Sequence, residues 1–225
     1  MKTPFFKVMM AIIHKDLRAE LRSRELVATM MLFALLSVLV FSFALELDKV
    51  AREEAVSGVL WVTIVFASIL GLNRSMAMER ENGNMEAMLL APVDRGAIFV
   101  GKLAGNFLFA IAVGLVLLPL MSVIYNINML TSWVLIVVFL GTLGVSITGT
   151  LLAAMTVQTR AREALLPIVM LPVVLPLLLA AVKGTTGIIN ELPITDWQTW
   201  PRVLMVVDVI YLVLCLLSFA YVVEE

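Results

Sequence analysis

RSMAMERENGNMEAMLLAPVDRGAIFVGK, Arg74 to Lys102, is the longest polar interruption between apolar runs in this chain, and its reading decides the rest. Glu79 to Glu81 form a charged patch, Gly83 permits a sharp turn, and Asn84 is placed to cap a short helix running through Met88 to Leu90. Pro92 then stops that helix, because its ring cannot continue a helix and it disfavours helical geometry in the residue before it. Residues three and four apart share a side, so Met85, Met88 and Leu89 lie on one face and Glu86 faces elsewhere. A helix of about two turns is too short to stand alone in water. It lies either against the headgroup layer of a bilayer or in a groove on a cytoplasmic protein.

Outward from this segment the chain is apolar. Of 225 residues 62% are hydrophobic and 15% charged, where soluble domains carry about 25% charged residues, and the mean hydropathy is +1.05. The apolar residues fall in blocks long enough to cross about 30 Å of hydrocarbon as helices. The expected fold is therefore all-α, a single transmembrane domain over residues 1–225. Its six spans are Leu26 to Leu45, Val56 to Leu72, Leu103 to Tyr125, Trp133 to Met155, Leu165 to Val182 and Val203 to Val222. A net charge of -1 gives no sign of nucleic-acid binding. The one cysteine, Cys215, lies in an apolar run and reads as a small buried hydrophobe.

Before the first span, Phe6, Met9, Met10, Ile13, Leu17 and Leu21 recur at helical spacing, with Lys7, His14, Lys15, Arg18 and Arg22 mostly on other faces. Residues 1–25 thus hold an amphipathic helix lying in the membrane interface. No small-x-small cleavage site follows the first apolar run, so no cleaved signal peptide is expected. Lys and Arg set the orientation: the N-terminal segment, the 74–102 loop and the Gln158 to Glu163 turn hold twelve, the opposite connections four. That bias puts both termini and the central loop in the cytoplasm. Gly184 to Pro201 is the one outer connection long enough to fold, and its Trp197 and Trp200 read as interfacial anchors or as a docking surface.

Within the spans, Gly141, Gly144, Ser146, Thr148 and Gly149 make the fourth a small-residue helix suited to close packing. Pro167, Pro172 and Pro176 must kink the fifth or leave carbonyls unpaired unless neighbours satisfy them. Asp208 is a carboxylate inside an apolar run, either snorkelling, paired with Lys183 or Arg202, or acting in a proton relay. Gly96, Gly101 and Lys102 spell most of a phosphate-binding loop, but Leu103 stands where Ser or Thr should meet magnesium, and a membrane span follows. The chain is expected to bind no ATP. The sole histidine, His14, sits on the amphipathic helix, so no Ser-His-Asp or Cys-His constellation and no cluster of metal ligands is expected. An enzyme active site is not expected.

The order of amphipathic helix, two spans, a loop with Glu81, Gly83 and Glu86 in E-x-G-x-x-E, then Leu89, Leu90 and Pro92, then Gly101-Lys102 opening the third span, resembles the membrane subunits of ABC-2-type exporters. Glu86 with Met88 to Pro92, Leu140 to Gly144, and the proline-repeated run Leu171 to Leu179 make the chain similar to the CcmB family of cytochrome c maturation. The acidic end Glu224 and Glu225 departs from the basic or neutral end of that family. The resemblance implies an elbow helix at the N-terminus and an ATPase-coupling segment made by Glu79, Arg80, Glu81, Gly83, Met85, Glu86, Met88, Leu89 and Pro92. It also suggests a second cytoplasmic contact at Arg160, Arg162 and Glu163, and helix packing through Gly141, Gly144, Gly149, Pro172 and Pro176.

The implied setting is the bacterial inner membrane. The implied partners are a second copy of the chain, a CcmA-type ATPase carrying ATP and Mg, a CcmC-type haem-handling subunit, a small CcmD-type subunit and the haem chaperone CcmE. Membrane lipid surrounds the complex and no nucleic acid is involved. ATP hydrolysis would serve haem delivery or release of the loaded chaperone. No cofactor is expected on this chain itself: its outer connections hold no His, and Gln198 and Thr199 split Trp197 from Trp200. Two alternatives remain. An ABC-2-type permease would export a lipid or another small molecule, and an ion-coupled secondary transporter would need Asp208.

Overall fold

The computed structural model describes residues 4–44, 49–81, 83–156 and 162–222, and every regular element among them is a helix. In chain order these are α1 (Phe5–Ser23), α2 (Glu25–Ala44), α3 (Lys49–Glu81), α4 (Asn84–Leu90), α5 (Arg95–Tyr125), α6 (Ser132–Thr156), α7 (Arg162–Ile189), α8 (Ile194–Trp197) and α9 (Thr199–Val222). Six segments, within α2, α3, α5, α6, α7 and α8–α9, are long and apolar enough to cross a membrane.

Two of the six form the centre. In α3 and α6, 72% and 67% of the most apolar stretch is buried, against 22% in α2 and in α8–α9. The reason is residue size. On α6 an added Cβ would stand 2.1 Å from the Trp61 ring of α3 at Gly141, and 2.3 Å from Leu72 of α3 at Gly149. At Gly144 it would meet Asp208 of α9 and Leu177 of α7. Between helices in lipid there is no hydrophobic drive, so such close backbone approach supplies the attraction. Trp61 is held in place by donating from Nε1 to Thr185 Oγ1 of α7 at 3.0 Å.

Helix α7 runs unbroken through its three prolines. Its buried face is Leu166, Met170, Val174, Leu177 and Ala181, and Pro172 and Pro176 fall on the opposite, exposed face. With 3.6 residues per turn, two positions beyond an inward residue points outward, so these two prolines face out of the bundle of this single chain. The backbone near Pro176 finds a neighbour, Tyr211 of α9, whose hydroxyl donates to Val173 O at 3.0 Å.

The bounds differ from the sequence reading where polar residues are satisfied internally. Helix α3 continues to Glu81 and α5 begins at Arg95, so most of 74–102 is helical and only a short linker carries α4. Helix α7 likewise reaches Ile189, leaving little of the expected outer loop at 184–201. There Trp197 is 7% exposed and donates from Nε1 to Leu192 O at 3.1 Å. It also meets the Trp133 ring edge-on at 5.2 Å, and Gly187 leaves it room. The Trp197 ring thus fixes the α7–α9 turn and offers no docking face. Lys183 lies over the Trp200 ring at 4.8 Å, and Arg202 donates to Gln198 Oε1 at 2.9 Å, so neither is drawn to Asp208. Asp208 is 4% exposed and both its oxygens lack hydrogen-bond partners among the described residues, which argues against two of the three readings open for it, snorkelling and pairing with Lys183 or Arg202.

Candidate functional site

Helix α4 stands between two long spans and is built by three local devices. Gly83 takes a left-handed conformation at φ 64° and precedes the helix, a geometry that costs a side-chain-bearing residue about 1–2 kcal/mol. Asn84 is consequently the first helical residue, and no side chain caps α4, which corrects the capping role expected for Asn84. At the other end Ala91 is extended at ψ 144°, the conformation that the following Pro92 enforces. Asp94 then caps α5, its Oδ1 accepting from Gly96 N at 2.8 Å and Ala97 N at 3.3 Å.

The exposed part of this segment includes Arg80, Glu81, Gly83 and Pro92, with Leu90 88% exposed. Met88 is half-buried and, with Val8, Ile12, Val93 and Ile98, lines an apolar cavity of about 380 Å³ between α1, α4 and α5, with Lys7 at its edge. The side chains of Met85, Glu86 and Leu89 lie outside the described residues, although α4 itself is described. Arg160 also falls outside them, as do the side chains of Arg162 and Glu163 at the start of α7.

Glu79 is placed differently from its neighbours in sequence. It is 6% exposed and faces inward, where Lys102 Nζ lies 2.7 Å from its Oε1 and Lys15 pairs with the same oxygen. Lys102 also donates to both oxygens of Asp16, at 3.1 and 2.9 Å, and Lys15 sits 3.1 Å from Asp16 Oδ1. Four charges from α1, α3 and α5 thus close into one cluster at the base of α4. Burial acts first on Lys15 and lowers its pKa; the hydrogen bond to Glu79 and the Asp16 charge outweigh it, leaving the pKa above the ordinary lysine value.

Helix α1 reaches this cluster because of α5. An added Cβ at Gly101 would stand 2.9 Å from Ile12 Cβ, and one at Gly105 would stand 3.3 Å from Asp16 Oδ2. The packed face of α1 is therefore Val8 and Ile12 running on to Asp16, while Phe6, Met10 and Leu21 of the expected apolar stripe are 73%, 58% and 74% exposed. A further carboxylate closes the next junction: Glu20, 8% exposed, accepts from Leu26 N at 3.3 Å and Val27 N at 2.8 Å. It satisfies the first amides of α2 and places negative charge at that helix's positive end. Glu25 and Arg74 pair α2 with α3.

Lys15, Asp16, Glu20, Asp94 and Lys102 were not singled out as site residues by sequence reasoning. The available signals were the lysine directly abutting the apolar run at Leu103 and the Asp three residues before Ala97. Among the described residues no group of three or more His, Cys, Asp or Glu is arranged to hold a metal ion. What the segment presents is an exposed short helix on a buried charged base.

The chain matches the family model described as "CcmB protein" over residues 7–224. It is 28% identical over 194 residues to the Heme exporter protein B of Rhodobacter capsulatus, covering 83% of this chain and 88% of that protein. Those of Bradyrhizobium diazoefficiens and Pseudomonas aeruginosa are each 25% identical over 180 residues, covering 80% of this chain and 81% and 80% of those proteins.

Proposed function

Since the chain belongs to the CcmB family, we propose that it is the membrane-spanning, non-catalytic subunit of an ABC-type exporter serving haem delivery in cytochrome c maturation. In this reading a separate CcmA-type ATPase binds ATP and Mg and presses on α4. The resulting motion serves haem delivery or release of the haem-loaded chaperone CcmE, beside CcmC-type and CcmD-type subunits and a second copy of this chain. The chain itself holds no cofactor. It lies in the inner membrane with both termini, α1 and α4 on the cytoplasmic side, in keeping with its twelve Lys and Arg there against four opposite.

The observation that carries the coupling role is α4 itself. It is a seven-residue helix, too short to be stable alone, and it stands between two spans that continue directly into its base. Leu90 is 88% exposed and an apolar cavity lies beside Met88, as a surface awaiting a soluble partner requires. The test is to tag the chain, extract it gently from its native membrane and identify what copurifies. Recovery of an ATPase with haem-handling maturation subunits is the expected result. An ATPase alone would keep the exporter and move the cargo to a lipid or another small molecule. Absence of any ATPase would overturn the reading.

A further inference from the structure

We propose that Lys102 is a positioning residue: it ties the two roots of α4 to each other and to α1, so that the short helix and the elbow helix move as one body. The proposal rests on the coupling reading above and names the residue that would carry motion inward from it.

The chain order makes the tie possible. Glu79 stands four residues before Gly83, at the end of the helix leading into α4, and Lys102 lies eight residues past Asp94, in the helix leading out. These two side chains meet at 2.7 Å, which fixes the spacing of the roots. The same ammonium reaches both oxygens of Asp16 on α1, at 2.9 and 3.1 Å. Lys102 is 1% exposed, so its charge has no route to water and is stable only while these carboxylates stay in place. An apolar contact would let the three helices slide, because its energy depends little on direction. A buried ion pair resists sliding, since separating it strands charge in a low-dielectric interior.

Packing around Lys102 supports the same conclusion. Gly101 and Gly105, the residue before it and the one three after, let α1 lie against the backbone of α5, with Ile12 and Asp16 as the facing residues. Lys15 adds a second bond across the joint by pairing with Glu79 from the solvent side. The Gly-Lys pair that imitates a phosphate-binding loop in sequence is thus a seat and a bolt between helices.

The test uses the full chain in lipid nanodiscs, with spin labels on exposed positions of the two bodies, Arg18→Cys on α1 and Leu90→Cys on α4. The buried Cys215 is replaced by Cys215→Ser. Electron–electron double resonance is expected to give one narrow distance population in the parent and to lose it in Lys102→Met. Glu79→Gln, nearly the same shape, serves as the second variant should Lys102→Met fail to fold. A distribution as narrow in the variants as in the parent would overturn the tie. In the ATPase complex, Lys102→Met is expected to lower the ATP-driven output by about tenfold while hydrolysis continues, a factor typical of coupling between sites. Broadened distances with undiminished output would overturn the transmitting role. If no ATPase copurifies with the parent chain, the functional reading falls, and the spin-label measurement still decides whether Lys102 joins the helices.

Discussion

Glycines here separate into those that touch another helix and those that do not. Gly141 leaves no space for a methyl group against the Trp61 ring, whereas an added Cβ at Gly58 meets nothing within 4 Å. Gly141→Ala is therefore expected to destabilise by about 1–3 kcal/mol through overpacking, and Gly58→Ala to be neutral or to stabilise by up to about 1 kcal/mol through helix propensity. Thermal unfolding of the two variants in the same detergent checks the contrast. Lys15 gives a pH dependence. Its pKa is raised in the folded chain, so its contribution is complete below the ordinary value of 10.5 and is lost as pH rises through the higher folded value. The α1–α4 spin-label distance should accordingly hold from neutral pH upward and broaden only above about 10.5. Broadening near neutral pH would show that Lys15 does not hold the joint.

At the scale of the element, α4 is defined less by its own seven residues than by what bounds it. Asp94→Ala removes the acceptor for Gly96 N and Ala97 N and is expected to cost about 0.5–2 kcal/mol, seen as faster hydrogen exchange confined to the start of α5. Gly83→Pro has a different effect. Proline holds φ near -65°, and Gly83 sits at 64°, so the turn into α4 cannot form. Under the proposed coupling role, the expected outcome is a chain that inserts and assembles with the partner ATPase, whose ATP hydrolysis then gives no physiological output, and Glu86→Lys should do likewise. Unchanged output in both would remove α4 from the coupling path.

For the whole molecule, the arrangement is a core of α3 and α6 inside a ring of more exposed helices, and among the described residues the buried charges Glu20, Glu79 and Lys102 gather at the α1–α4 end. Asp208 is the exception, buried between α9, α6 and α7 against Gly144 and Leu177. A carboxylate there is expensive to leave charged, so Asp208→Asn is expected to raise the unfolding temperature, by about 1 kcal/mol in stability, and, under the proposed coupling role, to leave ATP-driven output unaltered. An ion-coupled transporter would instead lose its activity in that variant. Melting curves and output of the same preparation distinguish the two.

Membrane class, six runs long and apolar enough to cross a bilayer, and the place of the short helix were all legible in one dimension. Those follow from local quantities: run length against bilayer thickness, and the conformational limits of Gly83 and Pro92. The sequence also singled out Gly141, Gly144 and Gly149 as a small-residue set, since size is visible residue by residue. That Glu79 turns inward while Leu90 points out, that Pro172 and Pro176 face away from the bundle, and that Trp197 is a staple emerge with the packing of the helices. That packing alone joined Lys102 to Asp16, 86 positions away along the chain. The physical reason is that burial and ion pairing depend on which helices become neighbours. Along an apolar helix with nearly uniform faces, nothing in the local pattern says which side will meet them.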